Sequence, residues 1–457
     1  MKIGVGKFLS TGLILTMTLA LALTGCGNKA TTNTTTTTTA VAPATTEKVA
    51  PKVDIDSPKD SSTITLLSAR SAYMEVIANS LKDANSVKNI NVNAKLVGWD
   101  QLIEQSSLAL SSGGKSPYEA IAAYNRTLVE YSSKGWLLPL DDLVAKYKDK
   151  YELGDIPKEL WDSVTYDGHI YGLPIAQNVE HFFYRKDILE KNNVKVPTTY
   201  EELIAACKAL KGKDTAYPLG FVVGKPSGIF TEFNNALLAN GGKWFDDNDK
   251  PLFNGAEGVN AAETLKELIS FMPPTSLTSN NDAVMLAMQT GEIAMSLMWT
   301  GRAAAMEDPK VSKVMGKVAF APALLGEAKS TPGTNFTQDM FVIPKKTAVD
   351  PDLIFQVLCN SISKENLKKN SDNGMVSRTS ILEDKAVIAK HPNLKEANIT
   401  IKAGAKSYPK KAYMGIVTTI VGNNLSNAMA GSSSIKEALD KAAKECTEEM
   451  KKQGYTK

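Results

Sequence analysis

The sequence predicts an α/β protein built on a mostly parallel, doubly wound sheet, carried behind a leader and a tether. Three observations support this. From residue 62 onward, short β-rich runs alternate with amphipathic stretches. Hydrophobic residues make up 43% and charged residues 22% of the chain, ordinary globular proportions, and a stretch of roughly 400 residues usually divides into two domains. The first 61 residues share neither the pattern nor the composition of the rest.

The leader comes first. Lys2 and Lys7 supply a basic start, and residues 8–23 an apolar run too short to span a membrane. Leu23-Thr24-Gly25-Cys26 closes it. A bacterial lipoprotein leader needs that thiol, because diacylglycerol alkylates it before cleavage ahead of it. Residues 1–25 are therefore expected to be a signal peptide, and Cys26 the lipidated first residue of the mature protein. Residues 31–39 are threonine except for Asn33, and Pro43, Pro51 and Pro58 follow. Such a segment has little to bury against its ordering entropy, so residues 26–61 read as a disordered tether. A flexible chain of ~35 residues spans ~30–35 Å. The expected location is outside the cytoplasm, lipid-anchored to the cell membrane, on the outer face of a single-membrane cell.

A net charge of +3 without a Lys/Arg block argues against nucleic acid or anionic lipid as the main partner. Beyond Cys26, the cysteines Cys207, Cys359 and Cys446 are odd in number and lack CxxC spacing, so they read as buried thiols.

The elements follow in order. A strand is expected over 63–67 and a helix over 72–83. Residues 91–97 alternate faces as a second strand. Asp100 is placed to cap a helix over 101–110, ended by Ser111-Ser112-Gly113-Gly114, and 118–123 read as a third strand. Ligands of such sheets bind in loops at the carboxyl ends of strands. The loops concerned are 68–73, 98–100 and 124–126. Thr198 or Thr199 caps a helix that Gly212 stops. Further helices are expected over 257–271 and 434–452, and a strand over 294–298.

Six blocks in order then resemble one family. They are Leu108 to Pro117; Gly135-Trp136-Leu137-Leu138-Pro139-Leu140-Asp141-Asp142; Tyr166-Asp167-Gly168-His169-Ile170-Tyr171-Gly172-Leu173-Pro174; Phe183-Tyr184-Arg185-Lys186-Asp187; Pro197 to Leu203; and Gly291-Glu292-Ile293-Ala294-Met295 followed by Trp299. The chain resembles bacterial extracellular solute-binding proteins of the maltodextrin-binding type, the capture subunits of ABC importers. One departure is Pro117-Tyr118-Glu119-Ala120, where the family usually has Pro-Asp-Val. The resemblance implies a type II periplasmic-binding-protein fold: two doubly wound α/β lobes, a hinge, and a ligand cleft between them. The first lobe would hold 62–174 plus 341–376, and the second 175–338 plus 379–457.

The resemblance also implies a carbohydrate ligand, an oligosaccharide for preference, and the transmembrane subunits of a permease as partners. It implies a monomer with no cofactor and no metal. A sugar cleft needs aromatic faces and planar polar groups. By position, Trp299 is the first choice as a stacking platform. Tyr124, Asn125 and Trp99 stand at first-lobe loops, with Arg70 and Tyr73 after the first strand. Asn178 follows the first crossing; Glu232 and Trp244 lie in a region that often lines the cleft; Arg302 and Arg378 offer guanidinium donors. The alternatives are a core position for Trp299, a surface turn for Tyr124 and Asn125, a helix-start staple for Trp99, hinge packing for Asn178, a hairpin cap for Trp244, and surface ion pairs for Arg70 and Arg378. Gly113-Gly114-Lys115-Ser116 lacks the first glycine of a phosphate loop, and Ser227 is one place off a nucleophile elbow. The histidines His169, His181 and His391 lack zinc spacing. A non-sugar ligand, a sensor for a membrane kinase, and an extracellular enzyme remain as other readings.

Overall fold

The computed structural model describes residues 53–326, 331–371, 376–406 and 408–456. The leader, Cys26 and the threonine tract lie outside the described residues.

Among the described residues, ten strands form in chain order: β1 (Ser62–Ala69), β2 (Ile90–Val97), β3 (Ala120–Tyr124), β4 (Thr165–Tyr166), β5 (His169–Ile170), β6 (Leu173–Arg185), β7 (Tyr217–Leu219), β8 (Ile293–Trp299), β9 (Val318–Ala321) and β10 (Phe336–Val342). β4 and β5 make a small hairpin, and the others join in the order β2-β1-β3-β10-β6-β8-β7, with β9 on β6. β1 is parallel to both β2 and β3, and β7 is parallel to β8. The strands in the middle, β10 and β6, run antiparallel to their neighbours.

β6 explains the two-lobed build. Its first part, Leu173 to Val179, pairs with β10; its last, Glu180 to Tyr184, pairs with β8. The buried apolar residues divide at the same point. One core gathers Ile64, Leu66, Ile121, Ile175, Phe341 and Phe355; another gathers Phe182, Leu203, Phe233, Leu297, Val421 and Leu439. A smaller cluster around Phe183, Met288 and Met306 backs the second lobe. β10 crosses alongside β6, with a register shift between Asp339 and Met340.

Most expected elements form close to their predicted limits. Ser434 caps the last helix, Ile435–Lys452, through a reciprocal bond pair with Glu437. Thr199 caps the helix Tyr200–Leu210, its oxygen accepting from the Glu202 backbone N–H at 3.2 Å. The helix expected from Gln101 instead starts at Trp99, with Gly98 at its N-cap. Gln101 turns back to accept from the Gly98 N–H at 3.3 Å, so Asp100 falls inside the first turn rather than capping it.

Two boundaries differ from expectation. The tether does not extend to residue 61 as free chain. Ile55 is buried in the first core, Tyr151 donates its hydroxyl proton to the Asp54 carbonyl at 2.6 Å, and the Asn89 amide donates to the Pro58 and Lys59 carbonyls. Residues 53–61 form a strap on the first lobe because Ile55 has a pocket to fill. After residue 379 the chain does not pass straight into the second lobe either: Ile381, Val387 and Leu394 pack in the first core.

In the second lobe the helix Lys225–Ala239 lies against the helix Met414–Met429. A Cβ at Gly422 would meet the Pro226 carbonyl oxygen at 2.2 Å, so this approach requires glycine.

Candidate functional site

The site forms where β3 and β8 end beside the crossing strands. Tyr124 is the last residue of β3 and is half-buried. Trp99, 38% exposed, meets it edge to face with ring centroids 6.2 Å apart. Arg126, two residues on, donates from Nη2 to the Tyr124 hydroxyl at 2.6 Å and lies over the same ring at 5.5 Å. Its other arm, Nη1, donates to Thr418 Oγ1 of the second-lobe helix at 3.4 Å.

The second lobe answers from three elements. Trp299 ends β8 half-buried and stands opposite Glu180 in the β6–β8 register. Tyr408 shares a hydrogen bond with Thr231 at 3.0 Å and packs on the Phe230 ring at 5.5 Å. Glu180, Arg126 and Tyr124 all lie within electrostatic reach of its hydroxyl. Beneath them sit two buried carboxyls. Glu180 is 1% exposed and accepts from the Asn235 amide at 2.7 Å; Glu232 is fully buried, with the Asn235 side chain and the Val222 backbone as the donors near its carboxyl. Burial lifts Glu180 to about 7, and burial with the neighbouring Glu180 charge raises Glu232 well above the carboxylate range.

The hinge holds a third such group. Asp339 of β10 is buried, accepts the Tyr73 hydroxyl proton, and is lifted by burial to about 7. His181, buried between the Phe183 and Phe320 rings, is pushed down to about 3 by burial.

The structure sorts the expected site residues. Trp99 stands at a helix start, and Tyr124 and Trp299 at strand ends. Asn178 lies on the crossing strand β6, its side-chain oxygen buried without a partner. Arg302 lies close enough to Glu180 to favour its ionised form, although its guanidinium is bonded to Asp282 at 2.9 Å. The others have structural work. Trp244 is 3% exposed, stacked on Phe230 and bonded through its indole N–H to Asn234 at 2.9 Å; it is second-lobe core, not a platform. Arg378 is 1% exposed and donates to the backbone carbonyls of Ile362, Glu152 and Tyr151, locking the returning chain into the first lobe. Tyr73 is buried on Asp339, Asn125 is buried with its side-chain oxygen on the Gln338 N–H, and Arg70 is exposed and donates to the Leu96 carbonyl. Glu232 lies under the cleft rather than in its wall.

Arg126, Tyr408 and Thr418 were not singled out as contacts, although 124–126 is one of the expected binding loops. Nothing local marks Tyr408 or Thr418: only the packing of the last helices on the second core brings them here. Among the described residues no cluster suited to a metal ion occurs, and no helix is long and apolar enough to cross a membrane. Cys207, Cys359 and Cys446 are buried free thiols.

Two α/β lobes, each with its own core, are joined by the crossing strands β6 and β10. Residues 67–357 match the profile of the bacterial extracellular solute-binding proteins, and the chain belongs to that family. A mannitol-binding protein of Pseudomonas aeruginosa is 24% identical over 368 residues, covering 76% of this chain and 83% of its own length. An Agrobacterium radiobacter solute-binding protein solved with ribitol superposes with a TM-score of 0.77 at 22% identity, covering 86% of this chain and 99% of that one. The maltose-bound MalE3 of T. maritima follows at 0.76 and 21%, covering 84% and 99%. The fold is thus that of the type II periplasmic binding proteins.

Proposed function

We propose that this chain is the solute-capturing component of an ABC importer, taking a carbohydrate or polyol and presenting it to the permease. The observation that supports this is that aromatic groups stand at element ends in each lobe, Trp99 against Tyr124 in the first and Trp299 at the end of β8 in the second. Flat rings suit the C–H faces of sugars, and the hydroxyls and amides around them suit hydroxyl-rich ligands. The mannitol, ribitol and maltose named for the relatives support the same class. A solute touching both lobes favours the shut state by its differential contact energy, and the permease reads that state. Catalysis plays no part in this role. The protein acts as a monomer, tethered outside the cytoplasm through lipid at Cys26.

The test is calorimetric binding and thermal shift of the full chain with D-mannitol, ribitol and maltose. At a hundredfold excess over its Kd, a ligand adds ~2.7 kcal/mol of stability. Trp299→Ala removes that gain and leaves the melting temperature without ligand nearly unchanged. Collapse of the ligand-free protein would make Trp299 a core residue and refute the site.

A further inference from the structure

We propose that Arg126 closes one end of the cleft and so limits the ligand to a single sugar ring or an open-chain polyol of that size. This rests on the cleft reading above and names the ligand class within it.

The guanidinium is held by its own lobe. The Tyr124 hydroxyl takes Nη2 at 2.6 Å, and the Tyr124 ring lies beneath the charge at 5.5 Å. From that fixed base Nη1 reaches the opposite lobe, where Thr418 Oγ1 lies at 3.4 Å. Thr418 spends its own proton on the Met414 carbonyl at 2.8 Å, which leaves its oxygen free to accept. Tyr408, locked by Thr231 and the Phe230 ring, stands beside the bridge. Two residues on, Lys410 donates across to the backbone carbonyls of Asp162 and Thr165 in the first lobe. Along the wall made by residues 408–418, side chains therefore join the lobes at two points.

An oligosaccharide continuing past Tyr124 toward Thr418 would have to pull the guanidinium off a hydroxyl in each lobe while the lobes close. A charged donor stripped of its partners in a shut cleft is costly. A compact polyol lies inside the bridge and leaves it intact.

The experiment compares Kd values by titration calorimetry on the full chain, with D-mannitol, ribitol and D-glucose against maltotriose and maltohexaose. The native protein is expected to bind at least one of the small ligands about tenfold or more tightly than either oligosaccharide. Arg126→Ala, which opens the end, is expected to shrink that preference about tenfold or more. Thr418→Val, which removes only the acceptor, gives the same change in direction and serves if Arg126→Ala folds poorly. Equal or tighter oligosaccharide binding by the native protein overturns the gate while leaving the cleft reading intact, as does an unchanged ratio in folded variants. Binding of none of the five by native and variant proteins alike overturns the cleft reading, and the gate with it.

Discussion

In the first lobe, Trp99, Tyr124 and Arg126 hold one another in place near the surface; in the second, Glu180 and Glu232 are fully enclosed, Glu180 bonded to the Asn235 amide. The first arrangement keeps ring faces and a charged donor accessible at little cost to folding. The second places two like groups where ionisation is unfavourable, so the second lobe carries a strain that a nearby hydrogen-bond donor would relieve. Substitutions on the two sides should differ in kind: binding effects above, stability effects below.

The largest expected effect lies deepest in the second lobe. Trp244→Ala leaves a cavity among Phe230, Phe233 and Phe253 and should cost ~3–5 kcal/mol in denaturant unfolding. An effect near zero would return Trp244 to the cleft.

Arg378→Met tests the corresponding anchor of the first lobe. It removes the donor from three carbonyl oxygens, those of Ile362 and Tyr151 buried and that of Glu152 partly so, and should cost ~2–4 kcal/mol while leaving ligand preference untouched. Altered ligand preference in a folded variant would contradict a purely structural role.

Glu180→Gln sharpens the contrast through pH. Burial raises the folded-state value of Glu180 from 4.5 to about 7, so the folded protein holds this proton longer than the unfolded chain. Stability is then greatest at acid pH and falls as pH rises between those two values. The variant lacks this loss and should be more stable than the native protein above that range, with close to no difference near pH 4. A gain that does not vary with pH would mean that Glu180 does not titrate in this range.

Arg70→Ala, on the exposed first-lobe rim, is the smallest case, with a melting temperature within ~2 °C of native.

The fold was largely legible because it rests on local signals. Ser434 with Glu437, Thr199 with Glu202, and the alternating run of β2 each declare an element within a few residues. The candidate site rests on thinner signals: Trp99 and Tyr124 are proposed from the rule that loops after strands carry ligands, and Trp299 from the family resemblance. Trp244, Glu232 and Arg378 look like site residues in sequence because an aromatic ring or a charge looks the same in a wall and in a core. Their burial is decided by helices far along the chain. Ile55 likewise read as tether, since the core it joins is built from residues distant in sequence.

The central claim is that a solute holds the two lobes together by touching both. Small-angle scattering of the full chain, recorded at increasing concentration of whichever sugar or polyol calorimetry finds to bind, tests it most directly. The account predicts a radius of gyration that falls along the binding isotherm, with the fall lost in Trp299→Ala. Saturable binding with an unchanged radius, in a protein that is open without ligand, would contradict it.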